Sequence, residues 1–147
     1  MEQFEQNNIL LVEDSALDAE LAMSGLRACN RADDIIWVRD GQQAIDYLFR
    51  EGPYAEREDI PPRLILLDLK MPKVNGIETL KIIKADQRTR RIPVVVMTSS
   101  REDLDLEKTY DLGVNSYVVK PLDLAMLTAL TREAAHYWIE VNQQTPV

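Results

Sequence analysis

Five residues suited to metal and phosphate chemistry stand at the ends of four short apolar runs. Ile9-Leu10-Leu11-Val12 stops at Glu13-Asp14, and Leu64-Ile65-Leu66-Leu67 stops at Asp68. Pro93-Val94-Val95-Val96-Met97 ends at Thr98, and Ser116-Tyr117-Val118-Val119 ends at Lys120. If these run ends converge, three carboxylates share one crevice with a hydroxyl and an ammonium. Clustered carboxylates raise each other's pKa unless a cation neutralises them. Oxygen donors of this hardness suit Mg2+, which retains several waters. Asp14 and Asp68 are the candidate direct ligands, and Glu13 is expected to act through water. Asp68 then keeps one oxygen free as a nucleophile. Lys120 and the Thr98 hydroxyl can hold two oxygens of an incoming phosphoryl group. Singly, each residue reads as a helix cap or a turn. Together they suit the transfer of a phosphoryl group to a carboxylate.

The positioning elements follow from the pattern around them. The four runs, with Ile35-Ile36-Trp37-Val38, are four or five residues long and rich in Leu, Ile and Val. Continuous runs of this kind are expected of strands buried on both faces of a parallel sheet. Helical segments alternate with them. Ser15 opens the first, with Asp18 as a capping-box partner, and Leu17, Leu21, Ala22, Leu26 and Ala28 supply its apolar side. Asp40 or Gly41 opens the second, with Ala44, Ile45, Leu48 and Phe49 inward. Asn75-Gly76 opens the third, with Ile77, Leu80 and Ile83. The fourth, near Glu102 to Leu112, has the weakest stripe, in Leu104, Leu106 and Leu112. Asp123 caps a fifth that runs to about Asn142, its stripe being Leu127, Leu130, Ala134, Tyr137 and Val141. Alternation of this kind predicts a doubly wound (βα)5 α/β fold. Ligands bind such sheets at the carboxyl ends of the strands, where the five residues stand. One connection, from Gly52 to Pro62, is longer than the usual 2–6 residues or so and reads as an exposed, charged loop.

The strings Ile9–Asp14, Leu66-Leu67-Asp68-Leu69-Lys70-Met71-Pro72 with Gly76, Val96-Met97-Thr98-Ser99 and Tyr117-Val118-Val119-Lys120-Pro121 resemble the response-regulator receiver domain. The resemblance spans roughly Asn8 to Pro121 and reaches into the last helix. It implies a flavodoxin-like strand order 2-1-3-4-5, phosphorylation of Asp68 by a histidine kinase, and dependence on Mg2+ with Mn2+ as a substitute. It adds the Lys70 backbone carbonyl to the ligand set and makes Thr98 and Tyr117 the switch. A phosphoryl group draws the Thr98 hydroxyl inward, and Tyr117 turns into the space left beneath Ser99–Asp103. It also raises the odds of a cis Lys120–Pro121 bond above the roughly 5–6% base rate, without deciding it. The Gly52–Pro62 loop and Asp40-Gly41-Gln42-Gln43-Ala44 resemble the single-domain regulators paired with bacterial and cyanobacterial phytochromes.

The composition narrows the alternatives. The chain has 147 residues, which suits one domain: a receiver core at about 8–125 and a C-terminal helix at about 123–142. With 17 Lys plus Arg against 25 Asp plus Glu, the net charge is −8. That argues against nucleic acid and anionic membranes as partners. One Cys (Cys29, read as packing near the first helix's end) and one His (His136) leave no material for a disulfide, a Cys-rich zinc site or a His cluster. No run approaches the roughly 18 residues of a membrane span, and the polar start is not a signal peptide, so a cytoplasmic location is expected. Asp103-Leu104-Asp105-Leu106 reads as a solvated helix start, and Arg88-Thr89-Arg90-Arg91 as a loop. Only 27 residues follow Lys120, so output is expected through contact with a downstream protein. No turnover of external substrates is expected. A pseudo-receiver scaffold and a metal-dependent phosphohydrolase are the rival readings. Tyr137, Trp138 and Val141 are expected to project past the core, making a homodimer through the face of the fourth helix, the Ser116–Val119 run, the fifth helix and its C-terminal extension.

Overall fold

The computed structural model describes residues 8–28, 34–71 and 73–145. Cys29 and Pro72, both used above, lie outside the described residues. The apolar runs form β1 (Ile9–Val12), β2 (Ile35–Val38), β3 (Leu64–Leu67), β4 (Val94–Thr98) and β5 (Ser116–Val119). All pairings are parallel, in the order β2-β1-β3-β4-β5, as anticipated. The helices are α1 (Ala16–Leu26), α2 (Gly41–Phe49), α3 (Gly76–Ala85), α4 (Asp103–Asp111) and α5 (Leu124–Ala135). The Gly52–Pro62 connection contains one 3-10 turn at Gly52–Tyr54. Arg57 ties it back to α2, donating to the Tyr47 carbonyl at 2.6 Å with its guanidinium over the Tyr47 ring.

Side chains alternate across a strand, so β1 supplies two cores. Leu10 and Val12 pack with Ile65, Leu67, Val94 and Val96 under α2 and α3. Ile9 and Leu11 pack with Leu64, Leu66, Val95 and Met97 under α1 and α5. Helix starts are fixed by side-chain caps. Asp40 accepts from the Gln43 amide, Asn75 from Glu78, and Asp123 from Ala125 and Met126. Ser15 accepts from the Asp18 amide. The reciprocal half of that capping box does not form: the Ser15 amide donates to Glu13 Oε2 at 3.2 Å, and the Asp18 carboxylate points elsewhere. Leu17, placed inward by spacing, is 59% exposed, because Ala19, Ala22, Gly25 and Leu26 form the buried side of α1. On α4, Leu104 and Leu106 are exposed and only Thr109 is buried. Lys120–Pro121 is trans, as are the other peptide bonds among the described residues.

The C-terminal helix departs most from expectation. Past Ala135 it continues as a single π-helical turn, His136–Val141. Its buried positions are Leu127, Thr131, Ala135 and Ile139, each four apart. The first half of the expected stripe does pack on the core, Leu127 buried and Leu130 and Ala134 half-buried, whereas at Tyr137 and Val141, both exposed, the buried face has moved to the i+4 row. Close contact with α1 explains the change. A Cβ on Gly25 would lie 2.4 Å from the Thr128 carbonyl oxygen and 3.2 Å from Thr131 Cβ, so small residues must face α1 there. Trp138 does not project. Its indole N–H donates to Ser116 Oγ at 3.1 Å, and Ile139 beside it is buried. Gln144 closes the end, donating to the carbonyls of Arg63 and Trp138. Of the expected interface trio, only Tyr137 and Val141 are exposed.

Gly76 fixes the loop behind the site. Its amide donates to the Leu69 carbonyl, and a Cβ there would lie 2.3 Å from the Asp68 carbonyl oxygen. The clash is with backbone and cannot be relieved by a rotamer change. Gly76→Ala is expected to cost about 1–3 kcal/mol by overpacking. Denaturant unfolding should show a lower midpoint at unchanged slope. An unmoved midpoint would show that the loop accepts the methyl group freely.

Candidate functional site

The sheet's hydrogen bonding carries past the strand ends and brings the chemistry-bearing residues together. The Glu13 amide donates to the Val38 carbonyl, Asp68 to Val12, and Lys120 to Thr98, the last at 2.7 Å. Adjacent parallel strands therefore deliver Glu13, Asp68, Thr98 and Lys120 to one edge. Lys120 is the centre of the polar network. Its Nζ donates to Glu13 Oε1, to Asp18 Oδ2 at 2.8 Å and to Asp68 Oδ2 at 3.4 Å. Glu13, Asp68 and Thr98 are buried.

Burial first, and then the neighbouring charge of Asp68, push the Glu13 carboxyl up to about 7. Burial on its own would lower the Lys120 ammonium. Its hydrogen bonds to Asp18 and Glu13 and the charge of Asp68 outweigh that and raise it. Three carboxylates thus face one ammonium, which leaves the site electronegative.

Glu13, Asp14 and Asp68 can each offer an oxygen with all three within 4.8 Å of one another. A hard divalent cation fits such donors, and Asp14 is the most open of the three. The Lys70 amide lies 3.4 Å from Asp68 Oδ1, so the segment carrying the Lys70 carbonyl folds against the same carboxylate. The Trp37 indole N–H donates to the Glu13 carbonyl at 2.8 Å, which makes Trp37 the reporter for this edge. Trp138 packs at the opposite end of the sheet, against Ser116. Mg2+ titration followed by Trp37 fluorescence should show weaker binding for Asp14→Asn than for Glu13→Gln. The reverse order would remove Asp14 as the direct ligand.

The loop after β4 is pinned from two sides. The Ser100 hydroxyl donates to Asp105 Oδ2 at 2.6 Å, and the Tyr117 hydroxyl donates to the Ser100 carbonyl at 3.1 Å. The Ser100 amide in turn donates to Thr98 Oγ1 at 3.3 Å. Tyr117, expected to turn toward this loop, is already joined to it. Asp105, read as a solvated helix residue, anchors the loop. Asp18, a cap partner by its spacing from Ser15, belongs to the Lys120 network. Periodicity gave no signal for that, since Asp18 and Lys120 are 102 residues apart. His136 lines an 840 Å3 cleft between α1 and α5 to which Glu13, Asp14, Asp18 and Asp68 do not contribute.

Residues 9–132 match the family model described as the response regulator receiver domain. The chain is 43% identical over 136 residues to the probable methanogenesis regulatory protein FilR2 of Methanothrix harundinacea (strain 6Ac), covering 92% of this chain and 85% of that one. It is 40% identical over 133 residues to response regulator Rcp1 of Synechocystis sp. (strain ATCC 27184 / PCC 6803 / Kazusa), covering 90% and 88%. The Mn2+-bound form of response regulator Rcp1 superimposes with a TM-score of 0.86 at 35% identity, over 95% of this chain and 99% of that one. The phosphorylated cyanobacterial phytochrome response regulator RcpA gives a TM-score of 0.89 at 37% identity, again over 95% and 99%.

Proposed function

Because the chain belongs to the response regulator receiver domain family, we propose that it is a phosphorylation switch with Asp68 as its acceptor. Proteins of this family are signalling proteins. The observation that carries the proposal is the reach of the Lys120 ammonium to Asp68, at the edge where Glu13, Asp14 and Thr98 also end. A carboxylate oxygen of Asp68 attacks the phosphorus of a kinase phosphohistidine. The N–P bond breaks, an O–P bond forms, and the imidazole leaves with the bonding pair. Mg2+ held by Asp14, Asp68, the Lys70 carbonyl and, through water, Glu13 would neutralise charge on the transferring group. Lys120 and the Thr98 hydroxyl hold phosphoryl oxygens. Movement of Thr98 passes to the Ser100 amide, and through the Ser100 carbonyl to Tyr117.

Likeness to the phytochrome response regulators supports a phytochrome-type histidine kinase as the phosphodonor. The whole described chain reads as one receiver domain, with output through a downstream protein. Incubation with acetyl phosphate and Mg2+ tests this by intact mass. One stoichiometric phosphoryl adduct is expected. No adduct would favour the unphosphorylated scaffold, and sustained turnover of unrelated esters a phosphohydrolase.

The proposal extends to a homodimer through α4, β5, α5 and the C-terminal helix. Tyr110 and Leu104 on α4, Leu122 and Leu124 after β5, and Tyr137 are all exposed, and exposed apolar clusters mark contacts. Sedimentation at micromolar concentration should give a dimer that Tyr110→Glu and Tyr137→Glu weaken. A wild type that stays monomeric throughout would end this part of the proposal.

A further inference from the structure

We propose that Asp18 is a positioning residue that holds the Lys120 ammonium whenever a metal ion occupies the site and Asp68 is unmodified. The inference rests on Asp68 as the acceptor. Three carboxylates hold Lys120 Nζ: Glu13, Asp18 and Asp68. Two of them, Glu13 and Asp68, belong with Asp14 to the metal-competent cluster, and Asp18 does not. A divalent cation on that cluster repels the ammonium and withdraws both of those partners. Asp18, on the first turn of α1 and 2.8 Å from Nζ, is the carboxylate that remains. A group on Asp68 that offers anionic oxygens must then draw Lys120 away from Asp18. Asp18 therefore favours metal binding over phosphoryl binding.

Removing Asp18 should shift two equilibria in opposite directions, and both shifts should require Lys120. The probes are Mg2+ alone, and beryllofluoride at saturating Mg2+ as a tetrahedral phosphoryl mimic. Both are read by Trp37 fluorescence in wild type, Asp18→Asn, Lys120→Gln and the double variant. Asp18→Asn should weaken Mg2+ and tighten beryllofluoride by about threefold or more, and both changes should shrink in the Lys120→Gln background. Glu20→Gln, an exposed charge on the same helix, should change neither. Equal shifts with and without Lys120, or equal shifts from Glu20→Gln, would show a general field effect and overturn the proposal. So would no shift. If wild type binds no beryllofluoride, or Asp68→Asn still binds it, the acceptor reading fails instead. The Mg2+ arm then decides on Asp18 by itself.

Discussion

Asp68→Asn is expected to take no phosphoryl group from acetyl phosphate, so that the intact mass of the treated protein should equal that of the untreated one. The amide lacks the anionic oxygen that must attack phosphorus, and no nearby carboxylate replaces it. Asp18 and Glu13 are both engaged by Lys120, and Asp14 lies on the open side of the cluster. The effect is a complete loss rather than a slowing, because the bond that forms is to the residue removed. The fold should be unharmed. Lys120 loses only its longest contact, the 3.4 Å one to Asp68, and the substitution removes a negative charge that opposes ionisation of Glu13. The thermal midpoint should therefore not fall. A stoichiometric adduct on the variant would refute the assignment of Asp68.

Lys120→Met should have the second-largest effect, on stability. The ammonium side chain is 10% exposed, and the Glu13 and Asp68 side chains it joins are 5% and 9% exposed. Removing one partner of a buried pair leaves the other charge uncompensated, which costs about 3–5 kcal/mol. Methionine fills the volume but supplies no charge. In EDTA the variant should unfold at clearly lower denaturant than wild type. Mg2+ should restore most of the loss, because a cation on Glu13, Asp14 and Asp68 replaces the missing charge and stabilises by mass action. Mg2+ should also bind the variant more tightly, since no ammonium competes for the same oxygens. If Mg2+ raises the midpoint no more for Lys120→Met than for wild type, Lys120 is not the counter-ion of this cluster.

The sheet and the strand-end residues were legible because each strand is a continuous apolar run with its functional residue next in sequence. Glu13, Asp68, Thr98 and Lys120 need only parallel strands in register to meet, and runs buried on both faces imply such strands. Side-chain partners between elements were not legible. Asp18 has the local spacing of a cap, yet its carboxylate serves Lys120 on the far strand. Trp37 counts as a strand apolar residue, although its indole N–H holds the Glu13 backbone. Leu17, Leu104 and Leu106 fit helical stripes and remain exposed, because the face that packs was chosen by small residues such as Ala19, Gly25 and Thr109.

The π-helical turn at His136–Val141 makes the end of the chain sensitive to length rather than to residue type. Such a turn bonds i to i+5 and so accommodates one residue more than α winding would. Deleting a single residue there would relax it to α-helix and keep everything beyond it in phase, whereas adding one, or winding the same residues as α-helix, would rotate the segment beyond by about 100°. That rotation would take Ile139 out of the core and swing Gln144 off the carbonyls of Arg63 and Trp138. Substitutions at the exposed Tyr137 or Val141 leave that phase intact. In this segment, a one-residue lengthening is therefore the more damaging change, although it removes no side chain that the core needs.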